Sequence, residues 1–161
     1  MTREPPPPVL DSARVIAYAF VGDIPYRKWG ALYVGEKLLE HVPRLAICVN
    51  LGKDVGSLLF HCDDEWTVLG TSGAETVEAA KQRAEKNYPG VSSRWVEVNV
   101  SLEDALRYYD AQTDGVKCSF CGKRPFELDG WFEGNHAAIC RSCVEKYYDA
   151  FQKPDGDDDA R

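Results

Sequence analysis

The 161-residue sequence has few of the side chains that common catalytic sites need. Its three histidines, His41, His61 and His136, lie far apart in the chain, so no Ser-His-Asp arrangement can be argued from them. A Gly-x-x-x-x-Gly-Lys-Ser/Thr loop, which would hold nucleotide phosphates, is also missing. We therefore expect a protein that binds other molecules and is not an enzyme.

Long apolar runs are missing as well. No stretch reaches the eighteen or so apolar residues of a membrane-spanning helix. The apolar run at 15–21 follows prolines and lacks the basic region of a signal peptide. We therefore expect no membrane association and a cytoplasmic location, where clustered cysteines bind metal more often than they form disulfides.

The chain also has no excess of positive charge. It carries 19 basic and 26 acidic side chains, for a net charge of −7, whereas proteins that bind nucleic-acid phosphates are usually basic. Residues 114–153 carry six side chains of each sign. The expected partner is therefore a protein, and nucleic acid is unlikely.

What is present predicts an α+β domain over residues 11–111, after a proline-rich, exposed leader at residues 1–10. Short apolar runs at 14–21 and 45–49 are typical of strands. Two more runs, 57–62 and 66–69, flank three acidic residues and predict an antiparallel hairpin.

Two helices are predicted in the same domain. Ser72 and Glu75 have the spacing of a capping box, as do Ser101 and Asp104. The residues expected to face inward are Val77, Ala80, Ala84 and Tyr88 in the first helix, and Leu102, Ala105, Leu106 and Tyr109 in the second. Between them, residues 95–100 alternate like a strand.

Four of the six cysteines form the strongest chemical pattern. Cys118-Ser-Phe-Cys121 and Cys140-Arg-Ser-Cys143 are two C-x-x-C pairs separated by eighteen residues. Such pairs supply the four thiolates of a tetrahedral zinc site, which leaves no open position for water and is therefore structural. We expect one zinc ion per chain, with two disulfides or four free thiols as the alternative.

The residues around these pairs predict how the site is built. Gly122 permits a tight turn after the second cysteine, and an apparent helix over 141–151 begins at the second pair. The predicted order is a knuckle, a hairpin and a helix over residues 117–153. A segment this short needs a metal to stabilise it.

The motifs Cys-Ser-Phe-Cys-Gly-Lys at 118–123 and Ile-Cys-Arg-Ser-Cys-Val at 139–144, with the helix that follows, resemble the four-cysteine zinc-binding domain of the ClpX unfoldase. The resemblance covers residues 117–152 and implies a treble-clef-like module in a bacterial protein. It further implies dimerisation and the recruitment of substrates or adaptor proteins to a Clp protease. The ATPase ring of that family has no counterpart in this sequence.

Bulky apolar residues in the module predict an interaction surface. So many large side chains exceed what a small module can bury, although packing against the first domain is an alternative. The residues are Phe126, Trp131, Phe132, Tyr147, Tyr148 and Phe151.

Several other interpretations stay open. A treble clef with His136 could belong to a nucleic-acid-binding or HNH-like protein, and the first domain could be an immunity-like or antitoxin-like binder. Cys48 and Cys62 are expected to be small buried hydrophobes, or a redox pair if neighbouring strands align them. Residues 112–116 are predicted to be a linker, and residues 154–161 an acidic, disordered tail.

Overall fold

A computed structural model describes residues 3–28, 33–34, 36–52 and 56–152. The chain divides into two compact units, Met1–Ala111 and Gln112–Arg161. Strands and helices occur in both, so the predicted α+β class is confirmed. No helix in the described ranges is long and apolar enough to cross a membrane. The predicted tail at 154–161 lies outside the described residues.

The first unit is built on an antiparallel sheet. Its strands are β1 (Val9–Leu10), β2 (Ala13–Phe20), β3 (Tyr33–Val34), β4 (Lys37–Leu38), β5 (Arg44–Asn50), β6 (Ser57–Cys62), β7 (Val68–Ala74) and β8 (Val96–Glu97). The sheet order is β1-β2-β5-β6-β7, with β8 also paired to β2, while β3 and β4 form a separate two-stranded sheet. The predicted strands at 14–21 and 45–49 and the predicted hairpin are confirmed.

The helices of the unit are α1 (Val77–Asn87) and α2 (Leu102–Gln112). The capping box predicted at Ser72 is wrong, because β7 continues to Ala74 and the Thr76 side chain accepts the hydrogen bond from the Ala79 N–H, at 3.1 Å. The cap at Ser101 is confirmed, since its hydroxyl accepts from the Asp104 N–H at 3.0 Å.

Four of the eight predicted inward-facing residues are buried. In α1, Ala80 and Ala84 are fully buried, as is Tyr88 at its C-cap. In α2, Ala105 is buried, but Leu102 is 48% exposed, so its inward placement is wrong. It lies in the first turn of the helix, where the charged Glu103 and Asp104 are also exposed.

The sheet has two apolar faces, and a bulge in β2 changes which of its side chains lie on each. The pairing of β2 with β5 shifts between Val15 and Ala17. These two side chains would share a face in a regular strand, but the bulge turns them to opposite faces. One face packs with α1 and contains Ala17, Leu45, Leu59 and Tyr88 among others. The other face contains Val15, Ala46, Cys48, Phe60, Cys62 and Trp66.

The structure corrects two further expectations in this unit. The predicted strand at 95–100 is reduced to the two residues of β8, and Val96 is 44% exposed. Cys48 lies opposite Leu58, whereas Cys62 lies opposite Arg44. The two cysteines are therefore four residues out of register, which excludes the redox pair and leaves them as buried apolar residues.

The proline-rich leader also differs from the expected exposed segment. Val9 and Leu10 form β1 and are buried, and the Val15 N–H donates to the Pro8 carbonyl at 3.0 Å. Pro6, Pro7 and Pro8 are half-buried. The leader is therefore packed on the sheet from Pro6 onward, whereas Arg3, Glu4 and Pro5 are exposed.

Candidate metal centre

The first cysteine pair lies in a knuckle closed by backbone hydrogen bonds. The Cys118 N–H donates to the Lys123 carbonyl, and the Gly122 N–H donates to the Cys118 carbonyl, both at 2.8 Å. Gly122 has φ 72°, in the left-handed region that favours glycine. The turn predicted after Cys121 is therefore present, for the expected reason.

The second pair lies where a hairpin meets a helix. Strands β9 (Trp131–Gly134) and β10 (Ala137–Cys140) pair antiparallel, with Cys140 opposite Trp131. Helix α3 (Arg141–Gln152) starts at once, so Cys143 lies in its first turn. The predicted order of knuckle, hairpin and helix is thus observed.

Hydrogen bonds donated by backbone N–H groups join the knuckle to the hairpin. The Ser119 N–H donates to the Ala138 carbonyl at 2.8 Å, and the Ala138 N–H donates to the Ser119 hydroxyl at 3.2 Å. The Cys140 N–H points at Cys118 Sγ, 3.4 Å away. These bonds bring the two cysteine pairs to the same place.

The four sulfur atoms form a cluster of the size that zinc needs. All lie within 4.8 Å of one another, with Cys118 Sγ 3.9 Å from Cys143 Sγ and Cys121 Sγ 3.8 Å from Cys140 Sγ. A tetrahedron with Zn–S bonds of about 2.3 Å has S–S edges of roughly 3.8 Å. The cysteines are free, without the bond of about 2 Å that a disulfide would show.

The surroundings of the sulfurs are mostly apolar. Cys118, Cys140 and Cys143 are buried, and Cys121 is exposed. Leu128, Trp131 and Ile139 pack against the buried cysteines.

Hydrogen bonding and crowding shift the thiol pKa values in opposite directions. Burial raises the pKa of Cys118, but N–H groups of Cys121, Cys140 and Phe120 outweigh it and lower that pKa to about 6. Burial and the three neighbouring sulfurs raise the pKa of Cys143 to about 12. Four thiolates this close together repel one another, so the site needs a cation to hold all four.

Residues 116–153 match the ClpX C4-type zinc finger family. Together with the sulfur geometry, this shows that the four cysteines are positioned to bind one zinc ion. When bound, zinc would be held by four thiolates in a closed, structural site. No curated protein and no solved structure matches the chain.

The residues predicted to form an interaction surface differ in how far they are buried in the zinc finger. Trp131 is half-buried and packs on the cysteines, so it belongs in part to the core of the finger. Phe126 is half-buried. The exposed members are Phe132, Tyr147, Tyr148 and Phe151.

Two exposed apolar residues were missed at the sequence level. Phe120 is 57% exposed, and its ring lies 5.2 Å from that of Tyr147. Val144 is 37% exposed and begins an i, i+3, i+4, i+7 series on α3. That spacing is visible in the sequence and could have revealed Val144, whereas only the folded knuckle brings Phe120 to the helix.

His136 is not part of the cysteine cluster. It is exposed in the two-residue turn between β9 and β10, where it has φ 62°. Among the residues that the structure describes, the four cysteines are the one group able to hold a metal ion.

Proposed function

We propose that the zinc finger is a protein-interaction module that self-associates and recruits protein partners through the exposed side of α3. A Clp-type protease or its adaptors are the partners that the family match favours. The first unit would supply a second recognition surface. The zinc ion would act only by holding the finger in shape.

The observation that carries this proposal is an apolar stripe on a metal-anchored helix. Val144, Tyr147, Tyr148 and Phe151 lie one helical turn apart, and Phe151 is 86% exposed. Phe120 extends the stripe through its contact with Tyr147. Contiguous exposed apolar surface is uncommon on soluble monomers and, where it occurs, marks an interaction site.

The charges beside the stripe favour a protein over a nucleic acid. Lys146 and Asp149 are exposed on the same helix and carry opposite charges. The Lys146 ammonium lies 5.9 Å from the centre of the Tyr147 ring. A polar rim around aromatic side chains is typical of protein interfaces, whereas phosphate recognition requires a basic surface.

Sedimentation of the zinc-loaded full chain over a wide concentration range tests self-association. We expect a dimer whose affinity falls at least tenfold when Tyr148→Ser and Phe151→Ser are combined, because buried aromatic residues dominate interface energies. Glu145→Ser, on the same helix but outside the stripe, is the matched control and should leave the dimer intact.

Recruitment is tested by affinity capture with the same three proteins. A specific partner should be retained by wild type and Glu145→Ser and lost with the double variant. A chain that stays monomeric at the highest concentration contradicts self-association. A partner that the double variant captures as well as wild type does contradicts the stripe as the recruiting surface.

A further inference from the structure

An aromatic cluster lies on the sheet face of the first unit that is turned away from α1. The Tyr18 and Trp66 rings are 5.6 Å apart and edge-on, and the Phe20 ring is 5.7 Å from Tyr18 and 5.9 Å from Trp66. The buried Arg44 guanidinium lies 5.1 Å from the Trp66 ring and 5.5 Å from Phe20. These side chains form an aromatic face whose rings are steeply inclined to one another, with the Arg44 guanidinium held against two of them.

Trp66 is held in this face by a strained backbone. Its φ of 66° lies in the left-handed region, which costs a large L-residue on the order of 1–3 kcal/mol. The turn keeps it there, because the Asp63 carboxylate accepts from the Glu65 and Thr67 N–H groups at 2.8 and 2.9 Å. Strain sustained in this way is a common mark of a functional position.

The proline-rich leader sits on this aromatic face. The Trp66 indole N–H donates to the Glu4 carbonyl at 3.1 Å, directly before the four prolines. The Arg3 guanidinium lies 5.9 Å from the Phe20 ring, and Trp66 is only 5% exposed. In addition to the strand pairing of β1, the leader is thus held by an indole hydrogen bond and a cation–aromatic contact.

We propose that the face formed by Tyr18, Phe20 and Trp66 is a binding site for proline-rich segments of other proteins, and that the chain's own leader occupies it in the resting state. An extended proline segment makes no internal backbone hydrogen bonds, so its carbonyls are free to accept from an indole. Aromatic surfaces bind such segments at a low cost in conformational entropy.

The charges near the site define the partner more closely. A cleft lined by Arg3, Phe20, Asp23, Arg94 and Val96 lies beside the start of the leader. The pKa of the Asp23 carboxyl is lowered chiefly by a hydrogen bond from Arg94, and the charge of Arg3 contributes further. The site should therefore prefer a segment with a basic residue shortly before its first proline.

The leader competes with any such partner because it is tethered. A short tether gives an effective concentration in the millimolar range, so a free peptide should bind weakly to the wild-type chain. Replacing Pro5, Pro6 and Pro7 by glycine makes the leader more costly to order. We expect this leader variant to bind a free peptide about tenfold more tightly than wild type does.

The probe is a synthetic peptide with the sequence of residues 3–8, Arg-Glu-Pro-Pro-Pro-Pro, titrated by calorimetry and NMR into the full-length proteins. A peptide with Gly-Ser in place of the prolines should not bind. Trp66→Phe in the leader variant keeps a ring but removes the indole donor, and should lower peptide affinity about tenfold. Trp95→Phe, at a tryptophan outside the aromatic face, should not.

Two results would overturn the proposed binding site itself. One is a leader variant that binds neither peptide, with NMR showing the unit folded. The other is binding that is unchanged by Trp66→Phe or that shifts no resonance of Tyr18 or Phe20. Leader exchange between two copies, seen as a dimer that the peptide dissociates, would also contradict a partner other than this chain.

Discussion

The two units keep their shape by different means. The first buries apolar side chains on both faces of a sheet, among them Leu45, Ile47 and Tyr88. Among the described residues of the second, the buried apolar side chains are three cysteines and Ala138. A unit with so little apolar burial depends on its metal, whereas the first can rely on its core.

The largest expected effect is therefore the loss of zinc. Chelation or Cys140→Ser should unfold the second unit and leave the first folded, because structural zinc contributes about 10–16 kcal/mol in small fingers. Native mass spectrometry should find one zinc per wild-type chain and none after the substitution, and NMR should show which unit loses dispersion.

The matched control is Leu59→Ala in the first core. It should lower the free energy of unfolding of the first unit by about 2–5 kcal/mol, and the chain should keep its zinc. A Cys140→Ser protein that lacks metal but keeps a folded second unit would contradict the comparison.

Acid should weaken both units, but only one through its metal. Burial lowers the pKa of His61 from 6.5 to about 4. As pH falls, the unfolded chain therefore binds the proton before the folded chain does. The contribution of His61 to the free energy of unfolding is complete above pH 6.5 and is lost as pH falls towards 4. The loss should reach about 3 kcal/mol.

Denaturation of the first unit across this pH range, with and without excess zinc, measures the effect. His61→Gln should flatten the pH profile of the first unit, and zinc should not restore its stability. In the second unit, excess zinc should offset acidification, because metal and protons compete for the thiolates. An unchanged profile for His61→Gln would show that burial of this histidine is not the cause.

The smallest expected effect concerns the hairpin turn of the zinc finger. His136 has φ 62°, so His136→Gly should relieve backbone strain and stabilise the second unit by about 1 kcal/mol. Zinc affinity measured by chelator competition should rise several-fold. Asn135→Gly, in the same turn but without a positive φ, is the control and should give no gain.

Local patterns predicted the features that depend on short-range spacing. The two C-x-x-C pairs identified the metal ligands because a tetrahedral ion needs four donors whose sequence spacing is restricted. The buried side of α1 followed from its helical periodicity, with Ala80, Ala84 and Tyr88 at the expected places. The capping signal at Ser72 failed because pairing with β6 extends β7 beyond it.

The sequence by itself determined the fold class, the zinc ligands and the helix that presents the apolar stripe, since each depends on residues within a few turns or strands. Only the tertiary structure decided the bulge at Ile16, the register that separates Cys48 from Cys62, and the contact of Phe120 with Tyr147. It also decided that the leader lies on Trp66. These features join segments that are distant in the sequence. Long-range packing selects among the possible strand registers and side-chain contacts, and no local pattern contains that information.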